Sequence, residues 1–140
     1  MAFERAVPRR NRQLYNLIRI YFIKMAKNTN DFYLRFSLPS SIWKEKKKWE
    51  KNTMIDMEFD PDGFVFRLRT SPSGFPLKIP GSKNAHIANL LINTKCFSEK
   101  TREVLYKNFV QMQEISNYEI TKESILIPCE SVKKQSHVLA

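Results

Sequence analysis

The stretch from Ile55 to Leu68 constrains this chain more than any other. Ile55, Met57 and Phe59 alternate with polar residues, Asp60-Pro61-Asp62-Gly63 interrupts, and Phe64, Phe66 and Leu68 alternate again. Successive side chains on a strand point to opposite faces, so a period of two puts one apolar row on each side of the break. Asp, Pro and Gly in the break supply the backbone angles of a tight reversal. The segment predicts a β-hairpin with its apolar positions on one face, and that face must be buried against something.

Phe32, Leu34, Phe36 and Leu38 predict another strand over 32–38, ended by Pro39. Ser40 or Ser41 then serves as cap for a short helix over 41–50, with Ile42 and Trp49 on its inner edge and its lysines outward. Leu14, Leu17, Ile18, Tyr21 and Phe22 fall at helical spacing and predict an amphipathic helix over 12–25. Ala85, Ala88, Leu91 and Ile92 suggest a helix over 84–94. Ser98 opens a longer one to about residue 115, with Val104, Leu105, Phe109 and Met112 inward. Residues 70–83 hold three of the seven prolines and two of the three glycines, so they read as a loop with a short extended piece at 76–79. Residues 118–128 end in Ile125-Leu126-Ile127, a strand. The expected fold class is α+β: a small antiparallel sheet from 32–38, 54–60 and 64–69, helices packed on one side, and an N-terminal amphipathic helix.

At 140 residues, 42% hydrophobic and with ten Phe, the chain can bury one core. Its organisation reads as a basic extension (1–30), a strand–helix–hairpin module (31–70), loop, helices and a last strand completing the same domain (71–130), and a polar tail (131–140). Met25 opens Met-Ala-Lys-Asn-Thr-Asn, which reads as an alternative start.

Charge supplies the functional signal. There are 24 Lys and Arg against 14 Asp and Glu, a net +10, and half of that surplus falls in residues 1–25. So large a single-sign excess repels itself and is best explained by a polyanionic partner. The densest clusters are Arg9-Arg10-Asn11-Arg12 and the run Lys44, Lys46, Lys47, Lys48, Lys51, flanked by Trp43 and Trp49. Cations neutralise phosphates and release counterions, and an exposed indole can stack on a base. The plainer alternatives are a solvated helix face for the lysines and core packing for the tryptophans.

Catalytic and metal chemistry finds little support. Glu58, Asp60, Asp62 and Gly63 imitate the opening of a calcium loop, but the twelfth position, which needs a bidentate carboxylate, is Arg69. Cys96 and Cys129 are too few and too far apart for a zinc site or a disulfide framework, and His86 and His137 belong to no recognisable motif. Three glycines build no phosphate loop. The chain is expected to be non-enzymatic and to need no cofactor. No apolar run is long enough to span a bilayer. The expected location is cytoplasmic, nucleoid-associated if DNA is bound. The Arg-rich, acid-poor N-terminus keeps a mitochondrial presequence as the alternative.

Over 33–69 the order of strand, Leu38-Pro39, short basic helix and hairpin resembles the AbrB/MazE-type swapped-hairpin DNA-binding domain. Ile42-Trp43, Trp49, and the rows Ile55-Met57-Phe59 and Phe64-Phe66 occupy the corresponding places. Lys47 and Asn52-Thr53 stand where that family usually has Gly near the helix end and Gly-Asp before the hairpin. The resemblance implies an obligate dimer with interleaved hairpins, with Arg35 and the 44–51 lysines facing DNA. Together with Arg67 and Arg69, the strand arginines best able to reach base edges, these give the expected function: a dimeric duplex-DNA binder with a regulatory role. The rivals are an RNA- or ribonucleoprotein-associated accessory protein, and an interaction module or inhibitor docking on an acidic protein partner.

Overall fold

In the computed structural model, residues 2–6, 16–24, 32–80, 86–109 and 111–130 are described. Among these residues, nine strands form two antiparallel sheets. They are β1 (Ile18–Lys24), β2 (Phe32–Pro39), β3 (Met54–Asp60), β4 (Val65–Thr70), β5 (Phe75–Pro76), β6 (Ile87–Asn93), β7 (Met112–Ile115), β8 (Glu119–Ile120) and β9 (Ile125–Pro128). One sheet runs β6-β2-β1-β7 and the other β5-β3-β4-β9-β8. Among the described residues, helical structure is limited to a π-helical turn at Ser41–Lys46, a 3-10 turn at Thr94–Cys96 and one α-helix, α1 (Glu99–Asn108).

The core lies between the sheets. Phe32, Leu34, Phe36 and Leu38 of β2 point into it from one side, and Ile55, Phe66, Leu68, Ile125 and Ile127 from the other. Phe36 and Phe66 meet edge to face across the gap, ring centroids 5.0 Å apart. Each such fully buried side chain contributes about 1.5–3 kcal/mol over leaving it exposed. At one end α1 closes the gap: Phe109 stacks on Phe22 of β1 at 5.6 Å and reaches Phe64 of the hairpin at 6.4 Å. At the other end the π-helical turn seats Ile42 and Trp43.

The hairpin stands as its alternation required, with Glu58 opposite Arg67 and Asp60 opposite Val65. The strand at 32–38 and the pairing piece near 76–79 are also present, the latter as β5 and a bridge between Lys78 and Asn89. The α+β expectation is overturned. The helix over 12–25 is replaced, in its described part, by β1; residues 12–15 and 25 lie outside the described residues. Ile18, Ile20 and Phe22 satisfy period two as well as helical spacing, and β1 is paired on both sides, by β2 and β7. The helix expected over 84–94 gives way, in its described part, to β6 by the same logic: Ala88, Leu90 and Ile92 point inward and the strand pairs with β2, while residues 84 and 85 lie outside the described residues. The long helix after Ser98 stops at Asn108, and Met112–Ile115 turns back as β7 against β1. The single sheet of 32–38, 54–60 and 64–69 is two sheets, because β2 is claimed by β1 and β6 while the hairpin is claimed by β5 and β9. Helices therefore do not cover one side. Sheet packs on sheet.

Candidate nucleic-acid interface

The lysine run begins where β2 ends at the protein's margin. The backbone N–H of Lys47 donates to the carbonyl of Ile42 at 2.8 Å, and that of Trp49 to the carbonyl of Trp43 at 2.7 Å. Between them Lys48 adopts φ of 54°, the left-handed conformation that commonly closes a helical turn and is usually given to Gly or Asn. This closure drives both tryptophans inward, leaving Trp43 and Trp49 only 6% and 8% exposed. The indoles anchor the turn in the core and present little face for stacking on a base. Lys44, Lys46, Lys48 and Lys51 are exposed around them.

Lys47 behaves differently. Its Nζ donates to the carbonyl oxygen of Thr121 at 2.6 Å, tying the turn to the β8–β9 connection, and desolvation there lowers its pKa. Beside it opens a cleft of about 500 Å³ lined by Lys47, Trp49, Arg69, Thr70, Lys122 and Glu123. The fold thus brings Lys122, which nothing in the sequence marks, against the lysine turn and the last arginine of β4.

The strand arginines are less available than their exposure suggests. Glu58 receives Arg67 Nε at 3.2 Å and Arg69 Nε at 2.9 Å. The hydrogen bond from Arg67, with the charges of Arg67 and Arg69, holds the Glu58 carboxyl below its usual range despite some desolvation. Glu58 was legible in principle, since the hairpin register places it opposite Arg67. Arg35 lies elsewhere, on the outer face of the four-stranded sheet, its Cζ 4.4 Å from the centre of the Tyr21 ring. Arg9, Arg10 and Arg12 lie outside the described residues. The expected site residues therefore separate: the lysine turn and Arg69 meet at the cleft, Arg67 is held on β4 by Glu58, and Arg35 is on the other sheet.

Among the described residues no group of three or more His, Cys, Asp or Glu side chains gathers to hold a metal. No described helix is long and apolar enough to cross a membrane. Comparison with protein-family models, curated proteins and solved structures finds no match. Strand 32–39 and the hairpin, which carry the AbrB/MazE-type resemblance, sit in different sheets here, and both long sides of the hairpin are paired within the chain.

Proposed function

We propose that this protein binds nucleic acid through the lysine turn and the cleft beside it, gripping phosphates. The observation that carries this reading is the fixed display of four exposed lysines, Lys44, Lys46, Lys48 and Lys51, on a turn pinned by two buried tryptophans, with Arg69 and Lys122 across the cleft. A pinned turn spends less conformational freedom on binding than a loose basic tail would. Glu45 and Glu50 interrupt the run, and Glu58 holds Arg67 and Arg69, so the surface suits charge recognition better than base readout.

The test is a salt-titrated anisotropy measurement against duplex DNA, structured RNA and a neutral polymer. Replacing Lys44, Lys46, Lys48 and Lys51 by Gln should flatten the logarithmic salt slope on duplex DNA by about 3 to 4, because each phosphate contact contributes roughly 0.9. Binding that ignores salt, or a slope the four substitutions leave unchanged, overturns the reading. The narrower form, a regulatory dimer on duplex DNA, requires in addition that duplex outcompetes RNA at equal salt and that the complex contains two chains. Preference for RNA would favour the ribonucleoprotein role instead.

A further inference from the structure

The outer face of the four-stranded sheet has a composition opposite to that of the rest of the chain. Of six exposed large hydrophobic residues among those described, four point outward from this sheet: Ile23, Ile87, Leu91 and Met112. The central row reads Leu91, Arg35, Tyr21, Met112 across four paired strands, with Tyr33 and Ile23 in the next row. Leu91 is 39% and Met112 46% exposed. In the row on the other side Arg19 is bound to Glu114 at 3.2 Å and Ser37 to Asn89 at 3.0 Å. The outward positions of these four strands hold no lysine; exposed Lys24 ends β1, and exposed Lys78 joins the face only at its margin, bridged to Asn89.

A phosphate-binding face would be expected to recruit lysines. Enrichment in Tyr, Met and Arg with depletion of Lys, Asp and Glu is the signature of a protein–protein interface core, and a clustered apolar patch on a folded chain marks such a site. Arg35 gives the partner its sign. Its guanidinium sits over Tyr21, its Nε is buried without a hydrogen-bond partner, and no carboxylate among the described residues pairs with it. Glu114, on the same face, is taken by Arg19. A second copy docked through this same face would set another Arg35 beside the first with no further carboxylate to pair it, so charge disfavours self-pairing here.

From this we infer that the outer face of β6-β2-β1-β7 docks an acidic protein, which lays aliphatic or aromatic side chains over Leu91, Tyr33 and Met112 and sets a carboxylate on Arg35. This surface is separate from the lysine turn and does not depend on it. The test uses full-length chain and a panel of short synthetic peptides with a central Glu flanked by Leu and Phe, each against its Gln counterpart, read by backbone amide shifts. Shifts should concentrate at 19–23, 33–37, 89–93 and 112–114, and Glu peptides should bind at least about tenfold tighter than Gln peptides. Arg35→Gln should erase that difference, and Leu91→Lys, a change at an exposed site, should weaken both peptides. Each variant is first shown to melt like the wild type. Three results overturn the inference: no acidic peptide shifting this face, concentration-dependent self-association abolished by Leu91→Lys, or an oligonucleotide shifting these strands in place of the peptides.

Discussion

At Gly63 and Phe64 the expected division of labour is reversed. The four-residue connection 61–64 needs one left-handed residue, and Phe64 supplies it at φ of 55°, while no glycine among the described residues has positive φ. For a bulky residue this costs about 1–2 kcal/mol. It is held there because the ring is buried against Phe59, centroids 5.2 Å apart, and its carbonyl accepts the Cys129 N–H at 3.0 Å. Phe64→Ala should lose about 3 kcal/mol by denaturant melting. Phe64→Gly should then be at least as stable as Phe64→Ala, reversing the usual penalty for glycine. The opposite order would mean that residue 64 leaves the left-handed region once its ring is gone. Gly74 is constrained by space: a Cβ there would lie 2.4 Å from the Ile55 carbonyl carbon, inside backbone that cannot step aside cheaply. Gly74→Ala should cost about 2 kcal/mol or more, whereas at Gly63 the nearest atom is a movable Asp60 carboxylate oxygen, and the same change should be mild.

Among the elements, the β3–β4 hairpin links its electrostatics to the proposed phosphate-binding surface through Glu58. Its carboxyl is held low by Arg67 first and Arg69 second, so the ionised form favours the folded state. That contribution is fully present above the ordinary carboxyl value of 4.5 and is lost as pH falls through the lowered folded value. Urea melts at stepped pH should show Glu58→Gln with a shallower acid decline than wild type. At neutral pH the same substitution frees Arg67 and Arg69, and affinity for duplex DNA should rise with a steeper salt slope if β4 borders the bound phosphates. Unchanged affinity would confine the proposed interface to the lysine turn.

The whole molecule depends on pairings between distant segments. Ile18 faces Ile115, and β2 lies between β1 and β6. Such a topology closes long loops before non-local contacts reward it, and slow folding, in milliseconds to seconds, is expected. It also decides what residues 18–24 do. A chain begun at Met25 would lack β1, an inner strand, and with it Ile18 and Ile20, both fully buried. β2 and β7 would each lose a neighbour, a loss comparable to the roughly 5–15 kcal/mol that holds a domain together. The Met25 chain should show no cooperative thermal transition. If it melts like the full chain, β1 is not part of the core.

What the sequence determined by itself were the features that one segment can enforce alone. Alternation around Asp60-Pro61-Asp62-Gly63 leaves only a hairpin, and Phe32 to Leu38 only a strand, because a helix would scatter those side chains around its axis. The Lys44–Lys51 display was legible as charge. Tertiary structure decided the ambiguous segments. Ile18, Tyr21 and Phe22 or Ala88, Leu91 and Ile92 fit a helix face, yet Ile18, Ile20 and Phe22 or Ala88, Leu90 and Ile92 fit a strand face equally well. Paired neighbours chose the strand in both places, since a sheet satisfies backbone groups and buries the alternate residues together. Tertiary packing also covered Trp43 and Trp49 with the core and carried Lys122 to the cleft beside Lys47. Both depend on residues far apart in the chain and close in space, whereas the pairing of Glu58 with Arg67 lies within the hairpin itself.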